Sequence, residues 1–105
     1  MSNLLTLAEA ERLAMLAEEC GEVIQAIGKI LRHGYASFHP DAPSGPTNRD
    51  MLMREIGDVK AIIERMEDAV DISRDTVSKY TFEKHLKLSR FAHYQTWNTR
   101  AGEKE

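Results

Sequence analysis

The chain has 105 residues, a formal net charge of −3 and no block of like charge. That length bounds it to one domain with a small core, and an acidic, mixed surface gives no support for binding a nucleic acid polymer through its backbone. No apolar run is long enough to span a membrane and no charged-then-apolar leader opens the chain, so no membrane partner is expected.

Ala, Leu, Ile, Glu, Lys and Arg dominate, and sustained Val/Thr/aromatic alternation is missing. The expected fold is all-α: a helical bundle of about three main helices per chain, spanning 1–105, with its core completed by oligomerisation. The single cysteine, Cys20, can form no intrachain disulfide, which predicts a reducing, cytoplasmic setting.

Thr6-Leu7-Ala8-Glu9 has the pattern of a capping box, with Thr6 as N-cap and Glu9 reaching back. From there Leu13, Leu16, Ala17, Cys20, Ile24, Ile27 and Leu31 form one apolar face, and Gly34 is the natural stop. The first helix is therefore expected over about 7–33, with Cys20 as a small core residue rather than a reactive thiol.

Residues 34–47 carry three prolines and two glycines, which excludes regular structure. A loop this long in a small domain is either functional or mobile. Its aromatics, Tyr35 and Phe38, either anchor it to the bundle or pack over a bound base.

Thr47 or Asn48 caps a second helix, with Asp50 in its first turn. Leu52, Ile56, Val59, Ile62, Ile63, Met66 and Val70 give its apolar stripe, and it is expected to end near Asp71. Ser73 or Asp75 then opens a third helix, from about Arg74 to Tyr94 or Trp97. Trp97 is expected as a capping hydrophobe or an oligomer contact, and the polar tail 98–105 as frayed.

One pattern is written twice: Glu19-Cys20-Gly21-Glu22 and Glu55-Ile56-Gly57-Asp58. Acids three apart lie about 300° apart on a helix, so the two carboxylates of each pair share an edge. With Val59 at zero and 100° per residue, Glu55 falls near about −40°, inside the apolar arc, and Asp58 near about −100°. With Cys20 at zero, Glu19 falls near about −100° and Glu22 near about −160°, flanking the apolar face on one side; Lys29 and His33 continue that edge.

A carboxylate on a core-facing arc is costly unless protonated, paired or bound to metal. For Glu55 alone, the plain alternative is a salt bridge to Lys29, Arg54 or Lys84. With three more acids at matching positions, the residues predict a site for Mg²⁺, with Mn²⁺ as a substitute, held by Glu19, Glu22, Glu55 and Asp58. Glu18 is placed on the solvated face, with a possible contact to the cluster through water. Gly21 and Gly57 each cost about 1 kcal/mol relative to Ala in a helix, which points to close helix approach, ligand access or simple tolerance.

On the third helix Val77, Tyr80, Leu88 and Phe91 share a face with Lys84, and Lys87 lies toward its edge. Such a lysine either snorkels to water or binds phosphate oxygens. Carboxylates, metal and lysine together suit hydrolysis of a phosphoanhydride: the metal polarises the phosphoryl group and a spare carboxylate, Glu19 or Glu22, acts as general base. No Gly-rich phosphate loop is present, so the phosphates would be held through metal and lysine, with Lys29 and Lys84 as the substrate-binding candidates.

Glu18-Glu19-Cys20-Gly21-Glu22 and Glu55-Ile56-Gly57-Asp58 resemble the E-E-x-x-E and E-x-x-D motifs of the MazG-like nucleotide pyrophosphohydrolases, relatives of dimeric dUTPases and dCTP pyrophosphatases. The resemblance covers about residues 8–92, with a longer loop between the motifs than in compact members. It implies a homodimer or homotetramer, Mg²⁺ on the four acids, and cleavage of a (deoxy)nucleoside triphosphate between the α and β phosphates.

Two other readings are weighed beside it. A di-iron carboxylate bundle needs Glu-x-x-His pairs, and no Glu here has His at the third following position. A non-catalytic helical interaction module would hold its acids in ion pairs across a homo-oligomer.

Overall fold

The computed structural model describes residues 4–96. Three helices run in the order α1 (Leu7–His33), α2 (Asn48–Asp68) and α3 (Arg74–Phe91), with no strand among the described residues. The all-α expectation is borne out. The chain divides between Asp71 and Ile72 into two compact units. The first holds α1, the connecting loop and α2; the second holds α3.

Both helices of the first unit open on reciprocal caps. Thr6 Oγ1 accepts from the Glu9 N–H at 3.1 Å while Glu9 accepts from the Thr6 N–H at 2.8 Å. Thr47 and Asp50 repeat the arrangement at 3.2 and 2.9 Å, so Thr47 rather than Asn48 is the cap. The Thr47 backbone N–H holds the Asp50 carboxyl below the ordinary aspartate range. Each such cap contributes about 1 kcal/mol. Gly34 ends α1 at φ 87°, its N–H donating to Ile30 O at 2.7 Å.

The loop 34–47 is stapled at its base. Phe38 and Thr47 form an isolated antiparallel bridge. The Asn48 and Arg49 N–H groups donate to Ser37 O (2.7 Å) and Tyr35 O (3.0 Å), and the Arg49 guanidinium lies 4.8 Å from the centre of the Tyr35 ring. Tyr35 is thus an anchor. Phe38 keeps its ring 42% exposed.

Helix α2 stops three residues before the expected Asp71, and Val70 is not part of its stripe. Val70 takes φ 61°, the left-handed region usually left to glycine. The Val70 N–H donates to Glu67 O and the Asp71 N–H to Met66 O, closing the helix end. What holds a β-branched residue there is the next residue. Asp71 accepts a forked pair of bonds from Arg12, at 2.6 Å from Nε and 3.0 Å from Nη2, across 59 residues. Both side chains are largely shielded, and the guanidinium holds the Asp71 carboxyl below its ordinary range.

In the second unit Ser73 caps α3 by accepting from the Thr76 N–H. The helix ends at Phe91, short of the expected Tyr94 or Trp97, because Ala92 turns to extended backbone with no glycine or proline to mark the change. Val77 and Leu88 are half-buried, while Tyr80, Phe91, Lys84 and Lys87 are exposed. Trp97 and the tail 98–105 lie outside the described residues.

The packing of α1 on α2 overturns one expectation. The α1 positions shielded from solvent include Met15, Glu19, Val23, Ala26 and Ile30, and on α2 Leu52, Glu55, Val59, Ile62 and Met66. The α1 seam is centred near about −100° on the scale that sets Cys20 to zero. The more apolar arc, centred near Cys20, is left open: Ile24 is 69% and Leu31 82% exposed, and Cys20 is exposed rather than a core residue. Two helices can share only one face each, and α1 spends on α2 the face that carries Glu19.

Candidate metal centre

The seam places an acid in each apolar row. Glu19 sits between Met15 and Val23, and Glu55 between Leu52 and Val59, at the 3–4 spacing of a packed helix face. Glu22 and Asp58 follow three residues later on the same edges. One carboxylate oxygen from each of Glu19, Glu22, Glu55 and Asp58 lies within 4.8 Å of the others. Three of the four side chains are half-buried and Asp58 is exposed, so the cluster opens to water on the Asp58 side.

These acids lack the partners that such placement demands. Glu19 Oε2 and Glu55 Oε2 are shielded from solvent and have no hydrogen-bond partner. Loss of water raises the Glu19 carboxyl above its ordinary range, reinforced by the charges of Glu22 and Asp58. Glu55 is also raised, first by side-chain hydrogen bonding to Glu22 and then by loss of water, with Arg54 opposing weakly. Burial and like charge act in the same direction on both groups.

Within the first unit, no ion pair between these acids and Lys29 or Arg54 is found among the described residues. A buried polar atom without a partner calls for an explanation. An all-oxygen donor set with two orphaned carboxylate oxygens fits a hard divalent cation such as Mg²⁺ or Mn²⁺ and suits soft, thiolate-seeking metals poorly.

The remaining candidates divide. Lys29 lines a cleft of about 270 Å³ together with Glu22, Gln25, Asn48, Met51 and Glu55, so the first unit brings this lysine beside the acids. Lys84 belongs to α3 in the other unit, where it is exposed. Glu18 is exposed and is not one of the four. A Cβ added at Gly21 or Gly57 would meet nothing within 4 Å, so neither glycine is there for close approach of α1 to α2.

Gln25, Asn48 and Met51 were not singled out by motif. For Gln25 a signal existed: it lies three residues after Glu22 and four before Lys29, on the same edge. Asn48 and Met51 carried none, because only the loop's return path brings the start of α2 beside Lys29. Comparison with protein-family models, with curated proteins and with solved structures found no match to this chain.

Proposed function

We propose that this protein is a Mg²⁺-dependent pyrophosphohydrolase, cleaving a (deoxy)nucleoside triphosphate at the α–β phosphoanhydride to give monophosphate and pyrophosphate. The observation that carries the proposal is the pair of shielded, unpartnered oxygens on Glu19 and Glu55 inside a cluster of four carboxylates. An acid in a packing seam without a counter-charge costs the fold stability, and a divalent cation removes that cost. The motif resemblance points the same way.

Glu19, Glu22, Glu55 and Asp58 would hold the metal, with Mn²⁺ as a possible substitute. Bound there, it would supply Lewis-acid polarisation of a phosphoryl oxygen and charge neutralisation of the leaving diphosphate. The chain's own residues do the rest. Lys29 offers its ammonium to a phosphate oxygen from the wall of the cleft beside Glu22. Glu19 or Glu22 takes a proton from the attacking water; their shared surroundings do not separate the two roles. As that proton moves, the new P–O bond forms and the bridging α–β P–O bond breaks, so that pyrophosphate departs.

The open apolar arc of α1 supports a homodimer or homotetramer in which another copy covers Leu13, Ile24, Ile27 and Leu31. We place this activity in the cytoplasm, as housecleaning of the nucleotide pool.

The test is pyrophosphate release from a panel of NTPs and dNTPs, with and without Mg²⁺, beside Glu55→Gln. Even an outer-shell partner of a metal ligand is worth about 10–100-fold, so losing a ligand is expected to cost at least about 100-fold. Glu55→Gln removes a repelling charge, so its fold should survive. Absence of release from every nucleotide, with both proteins folded, would sink the proposal.

A further inference from the structure

A second, larger cleft of about 460 Å³ lies under the loop 34–47, and it shares Lys29, Asn48 and Met51 with the cleft beside the acids. The two form a continuous path along α1. Lys29 is seven residues beyond Glu22, about 10 Å along the helix, and His33 eleven residues, about 16 Å. The character of the walls changes over that distance. Beside Glu22 they are acidic; under the loop they are Phe38 and Met51 with Arg32, His33 and His39, and no carboxylate lines this part.

The start of α2 is not the source of any anion affinity here, because its first amides are spent. The Asn48 and Arg49 N–H groups donate to loop carbonyls, and the Asp50 N–H to Thr47 Oγ1. Tyr35 is engaged with Arg49. Phe38 is different: its backbone is fixed by the bridge to Thr47, and its half-exposed ring lines the cleft. It is a pre-set aromatic surface with no partner ring among the described residues.

The cationic side chains there are donors, while His33, Ser37 and Asn48 can also accept. Lys29 and Arg32 can only donate. His39 accepts from the Asp41 N–H at Nδ1 (3.1 Å), which leaves Nε2–H as the donor of its neutral ring. Lys29 and Arg32 favour a base edge that presents acceptors, and Arg or Lys against the O6/N7 edge of guanine is the commonest such pairing.

We propose that the loop cleft is the nucleoside half of the site and that it selects keto bases, guanine foremost and then uracil or thymine. The base lies against Phe38 and Met51, Arg32 meets its carbonyl oxygen, and Lys29 at the junction binds the phosphate attached to the sugar. The β and γ phosphates then point toward Glu22. The identity of the ligand rests on the pyrophosphohydrolase reading; the chemistry of the cleft does not.

The experiment is a titration of ¹⁵N-labelled full-length protein with GMP, UMP and AMP at millimolar concentration without Mg²⁺, followed by NMR. GMP is expected to shift the amide resonances of Phe38, His39 and Met51, and AMP to bind about tenfold more weakly, the lower part of the range for one specific base contact. Phe38→Ala should weaken GMP and AMP alike by about tenfold, the scale of one base–aromatic stack. Arg32→Gln, which leaves Phe38 in place, should erase the GMP preference over AMP.

Equal binding of GMP and AMP, or nucleotide shifts that bypass the loop, would overturn the inference even if pyrophosphate release is found. Keto-selective binding at the loop without any hydrolysis would uphold the cleft and sink the hydrolase reading instead.

Discussion

Two places in the first unit bury carboxylates, and they solve the problem in opposite ways. Asp71 meets the forked guanidinium of Arg12, contributed by the far side of the hairpin, and every strong bond it needs is made within the chain. Glu19, two turns further along α1 from Arg12, and Glu55 on α2 cluster with other acids and keep two oxygens with no hydrogen-bond partner. The fold is therefore able to neutralise a shielded acid when that acid is structural. Where it does not, the acids are left to protonation or, in the proposed reading, to a cation from outside. The contrast also sets the sign of the pH response. Asp71 is held below its ordinary range by an opposite charge, while Glu19 and Glu55 are raised by burial and their neighbours.

The largest effect that tests the contrast is metal linkage. A ligand that binds only the folded state at 100 times its dissociation constant stabilises by about 2.7 kcal/mol. Mg²⁺ is expected to raise the urea midpoint of the wild type on that scale. Glu55→Gln should be unresponsive to Mg²⁺, yet more stable than wild type without it. Arg12→Gln should keep the full Mg²⁺ response while losing stability at every metal concentration. Equal Mg²⁺ responses in wild type and Glu55→Gln would erase the distinction between the two places.

A smaller effect separates them by pH. Glu19 and Glu55 are raised above 4.5, so their contribution to stability is fully present below pH 4.5 and is lost as the pH climbs through the raised values. Asp71 is lowered below 3.8, so its contribution is present above pH 3.8 and is lost as the pH falls through the lowered value. Metal-free protein should therefore weaken on both sides of a mildly acidic optimum. Glu19→Gln combined with Glu55→Gln should flatten the alkaline limb alone, and Arg12→Gln should shrink the acid limb to the share that Asp50 supplies. Denaturant midpoints across the pH range check both, and Mg²⁺ should flatten the same limb as the double glutamine variant.

Much of this was legible in the chain. The Thr6–Glu9 cap, the Gly34 stop and the start of α2 follow from side chains that act within one turn, and such signals survive in any tertiary setting. Glu55 in the seam was also visible, because its neighbours Leu52 and Val59 leave α2 a single apolar face. Glu19 was harder. The row of Met15, Val23, Ala26 and Ile30 is less apolar than the row through Cys20 and Ile24, and hydropathy alone chose the stronger row. Which face meets α2 is decided by the partner helix and the loop, and neither is encoded in α1. The Val70 turn was hidden for a related reason: its cause is a bond between Asp71 and a residue 59 positions away.

Val70→Gly sharpens the structural end of the comparison. A left-handed conformation costs an L-residue about 1–2 kcal/mol, and glycine gives back part of that gain through the freedom of its unfolded chain. Val70 is 82% exposed, so little packing is lost with its side chain. The expected result is a gain of up to about 1 kcal/mol in denaturant stability with the Mg²⁺ response unchanged. Loss of stability would mean that the Arg12–Asp71 fork does not hold the turn.

Gly57→Ala asks the matching question at the acid cluster, where the expected change is the smallest. Alanine in a helix interior is favoured over glycine by about 0.5–1 kcal/mol, and a Cβ at Gly57 would meet nothing within 4 Å. The metal-free chain should gain that stability. Gly21 and Gly57 hold the same place in the two acidic motifs, although the chain itself has no steric need of either. In the proposed reading they leave room for what approaches the cluster, so Gly57→Ala is also expected to lower pyrophosphate release. Stability gained with release intact would return both glycines to simple tolerance. Stability lost would mean that something other than the described residues packs against that face of α2, since none of those stands in the way of the methyl group.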